Sequence, residues 1–227
     1  MPDAVMIFAA GFGTRMGALT RSCPKPLLQV GGRTLLDHAL DLTDHARVTR
    51  RVVNVHYRSG DIMAHLEPRT DIGIADESDR ILDTGGGLKA ARAALSADPV
   101  FTLNSDAVWS DPSALDTLSQ AWDPARMDAL LLTVPLDRAH GRNAPGDFSQ
   151  AADGALSRGG DLVYTGAQIV SLAGLDGIAA EVFSLNLLWN RYAETGRLFG
   201  VTYPGHWADV GHPEGLVLAN RLWAEWP

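Results

Sequence analysis

An α/β fold built on a doubly wound, mostly parallel sheet is the architecture that this 227-residue chain predicts. Three observations carry that expectation. Continuous apolar runs at residues 5–10, 100–104 and 129–134 suit strands buried on both faces of a parallel sheet. Segments of helical period separate the strands as far as residue 134, in the β-α-β-α-β order of that class. A glycine-punctuated loop at residues 11–21 directly follows the first run, at the carboxyl end of a strand, where open α/β sheets bind ligands.

The elements follow in order. After the first strand and its loop, residues 34–44 read as a helix with Leu36, Ala39, Leu40 and Thr43 on one face. A second strand is expected at residues 51–55, a short helix at 62–66 and a strand at 72–75. Residues 84–95 open on Gly85, Gly86 and Gly87 and then turn helical. The strand at 100–104 ends in Ser105-Asp106, and Pro112 suits the first turn of a helix running to Trp122. Beyond the strand at 129–134 the texture changes. Residues 135–160 are rich in Gly, Pro, Asp and Ser, and strand candidates at Phe148 and 162–170 suggest a small β-rich insertion over about residues 135–180. Ser184 reads as the N-cap of a helix carrying Leu185, Leu188, Trp189 and Tyr192, closed by Gly196. A strand at 198–203 and a helix at 213–226, with Pro213 near its start, complete the pattern. No linker divides it, so one domain over residues 1–227 with a lid-like insertion is expected.

Composition narrows the function. The chain is 46% hydrophobic and 20% charged, as an ordinary globular protein is, and its net charge is -8. Lys and Arg are scattered, so no nucleic-acid partner is expected. A small anionic ligand remains compatible with an acidic protein, because clustered amides and a few cations suffice to bind phosphate. The single cysteine, Cys23, excludes an internal disulfide and a CxxC zinc site. No apolar run approaches the roughly 20 residues that span a bilayer. The N-terminus runs straight into the first strand without a basic region, so no signal peptide is read and a cytoplasmic location is expected.

The chemistry concentrates in four places. In Ala9-Ala10-Gly11-Phe12-Gly13-Thr14-Arg15-Met16, glycines permit close backbone approach and let successive amides point at phosphate oxygens. Arg15 adds a permanent fork of donors, and Lys25, stiffened by Pro24 and Pro26, can aim an ammonium at the same anion. A dinucleotide fold would need an acidic residue after the second strand, which ends Asn54-Val55-His56, and a P-loop would need Gly-Lys-Ser/Thr; both patterns fail. A plain turn explains the glycines but not Arg15 with Pro24-Lys25-Pro26. Asp106, after an apolar strand, and Asp209, in Trp207-Ala208-Asp209-Val210-Gly211, each read alone as cap or turn residues. As a pair beside the first loop they point to Mg²⁺, whose remaining ligands come from water and phosphate. Gly85-Gly86-Gly87 reads equally well as a seat for a flat base or as a flexible loop.

Together these residues resemble the sugar-phosphate nucleotidyltransferase family, with its Gly-x-Gly-x-Arg-Met and Pro-Lys-Pro-Leu signatures at residues 11–16 and 24–27. Asn104-Ser105-Asp106 is similar to its metal-binding Asn-Gly-Asp segment, with Ser for Gly, and Ala18 stands where the family often has Pro. The stretch from His140 to Asp147 is longer than the family pattern before Gly146-Asp147-Phe148. The likeness runs nearly the whole chain and implies a Rossmann-like, GT-A-like fold. It also implies Mg²⁺-assisted attack of a sugar 1-phosphate on the α-phosphorus of a nucleoside triphosphate. Within the family it implies the short uridylyltransferase branch of peptidoglycan recycling, with UTP and N-acetylmuramate α-1-phosphate as substrates. The roles it implies are catalytic for Arg15 and Lys25 and metal-binding for Asp106 and Asp209. Nucleotide contacts are implied for Ala9, Ala10, Gly11, Gly13, Thr14, Arg15, Met16, Asn54, Glu77, Gly85 and Asn104. Acceptor contacts are implied for Gly146, Asp147, Thr165 and Gly166. The readings held against it are another nucleotidyltransferase of the same fold, taking another hexose 1-phosphate or phosphocholine, and a non-catalytic nucleotide-sensing subunit.

Overall fold

Alternate residues of the first strand, β1 (Ala4–Phe8), are buried against opposite faces of one sheet, and that alternation organises the computed structural model, which describes residues 1–142 and 144–226. Val5 and Ile7 belong to one apolar cluster with Leu36 and Leu40 of α1 (Leu35–His45), Ile62 and Leu66 of α2 (Ser59–Leu66), and Leu115 and Leu118 of α4 (Ala114–Ala121). Ala4 and Met6 belong to another, with Leu88 and Leu95 of α3 (Asp83–Leu95) and Leu185 and Leu188 of α5 (Leu185–Glu194). Helices on both faces of one sheet are the doubly wound arrangement.

Among the described residues the sheet has nine strands. β1 pairs in parallel with β4 (Arg50–Val55) and β6 (Val100–Asn104), and β4 with β5 (Ile72–Asp76). On the other side β12 (Leu162–Val170) runs antiparallel to both β6 and β8 (Ala129–Pro135), and β13 (Leu198–Thr202) lies parallel to β8. The sheet is therefore mixed, because β12 enters its middle reversed. The stretch read as an insertion divides accordingly. The hairpin β10 (Phe148–Gln150) and β11 (Leu156–Arg158) extends one edge, whereas β12 is a central strand, with Ala167, Ile169 and Val170 fully buried. Asn143, within the 140–147 stretch, and Pro227 lie outside the described residues.

Among the described residues two small sheets accompany the large one. β2 (Gln29–Val30) and β3 (Arg33–Thr34) form a hairpin ahead of α1. β14 (Trp207–Asp209) pairs with β7 (Ala107–Trp109) and β9 (Ala139–His140). The last helix, α6 (Pro213–Glu225), covers this sheet; its Ala219 and Leu222 join Met16, Leu28, Val108 and Val210 in a third apolar cluster. Helix ends follow local chemistry. Thr34 caps α1 by accepting from the Asp37 amide at 3.0 Å, and Ser184 caps α5 by accepting from the Asn186 amide at 3.3 Å. Pro213 stands in the first turn of α6, as expected. Among the described residues no helix is long and apolar enough to cross a membrane.

Candidate active site

The carboxyl ends of β1, β4 and β6 open onto a cleft of about 380 Å³ whose wall is the loop after β1. Among the described residues the amides of Gly11, Phe12 and Gly13 donate to no protein acceptor, so they stand free for an anion. Gly13 has φ 63°, and a Cβ there would come within 3.0 Å of Lys25 Cβ. The glycine thus lets the Lys25 segment lie against the loop. Ala9, Ala10, Gly11, Gly13, Thr14 and Arg15 all line this cleft. Met16 does not: its side chain is 1% exposed and packs beneath the loop with α6, anchoring it from below.

Lys25 is buried, and its Nζ lies 2.8 Å from Asp106 Oδ2. Asp106 sits between β6 and β7, and the register across the small sheet sets Asp209 opposite Ala107. The Val210 amide donates to the Asp106 carbonyl at 2.9 Å, locking the two aspartate segments together. Burial, then the Asp106 charge, pushes the Asp209 carboxyl above its ordinary value; Lys25, Arg15 and His212 oppose the shift. Among the described residues no cluster of three or more His, Cys, Asp or Glu is poised for a metal. The donor set is two hard carboxylates in mutual repulsion, which suits a cation that takes its remaining oxygens from phosphate and water.

Asn54 and Glu77 also line the cleft, but their polar atoms are spent on one another and on the backbone. Asn54 Oδ1 accepts from the Ala9 amide at 2.8 Å, and its Nδ2 donates to Glu77 Oε1 at 2.7 Å. Glu77 Oε2 accepts from the Leu82 amide at 3.0 Å. The pair therefore fixes the shape of the wall. Gly85 is not a lining residue: its amide donates to the Phe183 carbonyl at 2.9 Å, and a Cβ there would meet the Phe183 ring at 2.4 Å. The glycines let α3 pack tightly, and the exposed corner belongs to Asp83 and Thr84. Asp83 holds φ 62°, unusual for a residue with a side chain, and its carboxylate accepts from the Thr84 amide at 2.6 Å.

A second cleft of about 400 Å³ adjoins the first and shares Arg15, Asp83, Thr84, Asn104 and Asp106 with it. Its floor is β12, whose pairing with β8 shifts register between Tyr164 and Gln168. Within that bulge Gly166 has φ 88°, and a Cβ would lie 2.8 Å from Asn104 Cβ, so the glycine brings the two strands' functional ends together. Asp147 and Gly166 line this cleft. Both Asp147 oxygens are engaged, one by Arg142 at 2.5 Å and one by the Tyr164 amide at 2.9 Å. Thr165 is 1% exposed and donates to the Leu132 carbonyl, and Gly146 packs on the backbone of Gly160 and Asp161. Those two support the wall and do not face the cleft. Sequence reading passed over Tyr164, Arg158, Asn186 and Trp189, which do. The Trp189 helix carried a legible apolar stripe, but nothing in that stripe distinguishes a cleft wall from core.

Known proteins resemble the chain over nearly its whole length. Residues 5–225 match the model of the MobA-like NTP transferase domain. The chain is 40% identical to N-acetylmuramate alpha-1-phosphate uridylyltransferase of Caulobacter vibrioides, over 99% of this chain and 98% of that one. It is 26% identical to mannose-1-phosphate guanyltransferase of Pichia angusta over 96% of its own length and 63% of the relative's. The solved structure of HddC from Yersinia pseudotuberculosis superposes with a TM-score of 0.79 at 20% identity, covering 97% of this chain and 99% of that one. The inositol-1-phosphate CTP transferase of T. maritima superposes with a TM-score of 0.79 at 16% identity, covering 99% and 96%. The chain belongs to the sugar-phosphate nucleotidyltransferases, in the family of MobA-like NTP transferase domains.

Proposed function

We propose that the chain transfers the uridylyl group of UTP to N-acetylmuramate α-1-phosphate, forming the UDP-sugar and pyrophosphate. The observation that carries the reaction is the convergence of the two clefts on Arg15, Asn104 and Asp106. Two polyanionic substrates would meet there. The substrate pair is supported by the 40% identity, over nearly all of both chains, to an enzyme of that name.

In this reading the first cleft holds the triphosphate. The free amides of Gly11 and Gly13, with Arg15, would bind the β- and γ-phosphates and then the leaving pyrophosphate. Lys25 would face the α-phosphoryl oxygens, where negative charge is redistributed as the sugar phosphate oxygen attacks in line. The Asn54–Glu77 pair would shape the seat of the base. The acceptor would lie on β12 against Gly166, with its phosphate toward Asp106. Mg²⁺ held by Asp106 and Asp209 would neutralise charge between nucleophile and electrophile. Positioning and charge neutralisation account for the catalysis, with no covalent enzyme intermediate.

The test is a matrix of UTP, GTP, CTP and dTTP against N-acetylmuramate, N-acetylglucosamine, glucose and mannose 1-phosphates, read by pyrophosphate release. UTP with N-acetylmuramate 1-phosphate should give the highest kcat/KM. A maximum with GTP and mannose 1-phosphate would instead align the chain with its guanylyltransferase relatives.

A further inference from the structure

Arg158 has a setting in the second cleft that the transfer chemistry does not use. It stands opposite Phe148 in the β10–β11 hairpin, with its guanidinium carbon 4.8 Å from the centroid of the Phe148 ring and 5.5 Å from that of Trp189. Two aromatic contacts and one hydrogen bond, from Nη2 to Asn190 Oδ1 at 2.9 Å, pin a side chain that otherwise carries much rotamer freedom. Among the described residues no carboxylate lies at ion-pair distance from it, and its remaining N–H groups have no protein acceptor. The neighbouring acid, Asp147, is already occupied by Arg142 and the Tyr164 amide. Arg158 is thus an exposed cation lining the second cleft, oriented by two rings and by Asn190, with donors left over for a ligand.

Its position in the cleft decides which anion it would meet. The phosphate of the acceptor must lie by Lys25, Asp106 and Arg15 to attack. Arg158, Tyr164 and Trp189 line the second cleft and not the first, whereas Lys25 lines only the first; Trp189 packs edge-on to Tyr164 at 4.8 Å and also contacts Arg158. The cleft is thus lined by two arginines, Arg15 and Arg158, that have no carboxylate partner among the described residues, and by the aromatic rings of Tyr164 and Trp189. Two buried donors without a partner among the described residues, Arg142 Nε and the Trp207 indole N–H, belong to residues lining the same cleft.

We propose that Arg158 is a specificity residue that recognises a carboxylate carried by the acceptor sugar at a distance from its 1-phosphate. Resting on the acceptor reading above, that group is the lactyl carboxylate of N-acetylmuramate. A planar guanidinium packed against Phe148 and Trp189, with one Nη2 hydrogen given to Asn190, keeps enough free donors for a bidentate carboxylate pair. N-acetylglucosamine 1-phosphate, the same sugar without the lactyl ether, would leave that edge unpaired.

The experiment compares wild type, Arg158→Gln and Arg158→Lys on N-acetylmuramate 1-phosphate and N-acetylglucosamine 1-phosphate. Arg158→Gln should lower kcat/KM on the muramate substrate by about 10- to 100-fold, chiefly through KM, and the loss should be about tenfold greater than on the glucosamine substrate. Arg158→Lys should recover part of it. Equal losses on both substrates would overturn the proposal and make Arg158 a structural pin or a phosphate ligand. A UTP-induced thermal shift checks that each variant is folded. If Arg158→Gln lacks that shift, wild type is assayed with the lactyl carboxylate converted to its methyl amide. The same loss supports the proposal, and none overturns it. A wild type that ignores the muramate substrate but uses a neutral sugar 1-phosphate overturns the acceptor reading itself. Muramate turnover with selectivity unchanged in Arg158→Gln overturns only the role of Arg158.

Discussion

At the scale of single residues, the site sets stability against function. Asp209 is held with its carboxyl above the ordinary range by burial and by Asp106. A carboxyl whose pKa is raised on folding binds its proton more tightly in the folded state. Its ionised form therefore costs stability, and that cost is fully present above the raised pKa and relieved as pH falls through it. Asp209→Asn removes the charge while keeping the shape. In the absence of metal and substrate the variant should melt at a higher temperature than wild type near neutral pH, and the gap should close as pH falls into the carboxylate range. Its kcat should fall by about 10²–10³-fold, the scale of losing one well-placed charge stabiliser. Calorimetry across pH with a turnover assay checks both; a variant less stable than wild type at neutral pH would contradict the account. Lys25 has the opposite sign. Lys25→Ala leaves Asp106 beside Asp209 without the ammonium that lies 2.8 Å away in wild type. It should destabilise the chain and lower kcat more than it raises KM for the triphosphate, and a change confined to KM would reassign Lys25 to ground-state binding.

At the scale of elements, the start of α3 shows how packing overrides a plausible local reading. Gly85, Gly86 and Gly87 carry no positive φ; they are glycines because neighbours occupy the space of a side chain. A Cβ at Gly87 would lie 2.6 Å from Glu77 Oε1 and 3.1 Å from Asn54 Nδ2. Gly87→Ala should gain about 1 kcal/mol of helix propensity and lose about 1–3 kcal/mol to overpacking. Because the displaced pair holds the Ala9 amide, the variant should also raise KM for the triphosphate severalfold, measurable by initial rates. The sequence made Gly11, Gly13, Arg15, Lys25 and Asp106 legible because their signals are local: a loop after a strand, flanking prolines, an acid ending an apolar run. The family resemblance implies ligand contacts for Gly85, Thr165 and Met16, yet their surroundings come from Phe183, Leu132 and α6, which no local window contains. The pairing of β7 with β14 was equally invisible, since a three-residue strand carries almost no period, although it is what sets Asp209 beside Asp106. The reversed strand β12 was found as a strand, but its place in the middle of the sheet depends on β6 and β8, which lie far from it in sequence.

At the scale of the whole molecule, the sheet divides the labour. Its parallel side supplies loops at the carboxyl ends of β1, β4 and β6, the geometry that suits a nucleotide. Its antiparallel side supplies a bulged floor, with Asp106 and Asn104 on the boundary. The third apolar cluster clamps this boundary by packing α6 onto both the loop after β1 and β14. Occupying the first cleft should therefore stabilise the whole fold, because the loop, β14 and α6 share one set of contacts. A ligand at about 100 times its Kd adds about 2.7 kcal/mol, worth roughly 5–10 °C in Tm for a chain of this length. If Asp106 and Asp209 hold the cation beside the phosphates, UTP with Mg²⁺ should give that full shift, and UTP with a chelator should give a smaller one. The difference between the two conditions should vanish in Asp106→Asn, while the shift that remains in chelator should persist because the loop amides and Arg15 are intact. Scanning calorimetry on wild type and the variant under both conditions decides it. An Mg²⁺-dependent increment preserved in Asp106→Asn would separate the cation from that carboxylate and move the metal assignment elsewhere in the cleft.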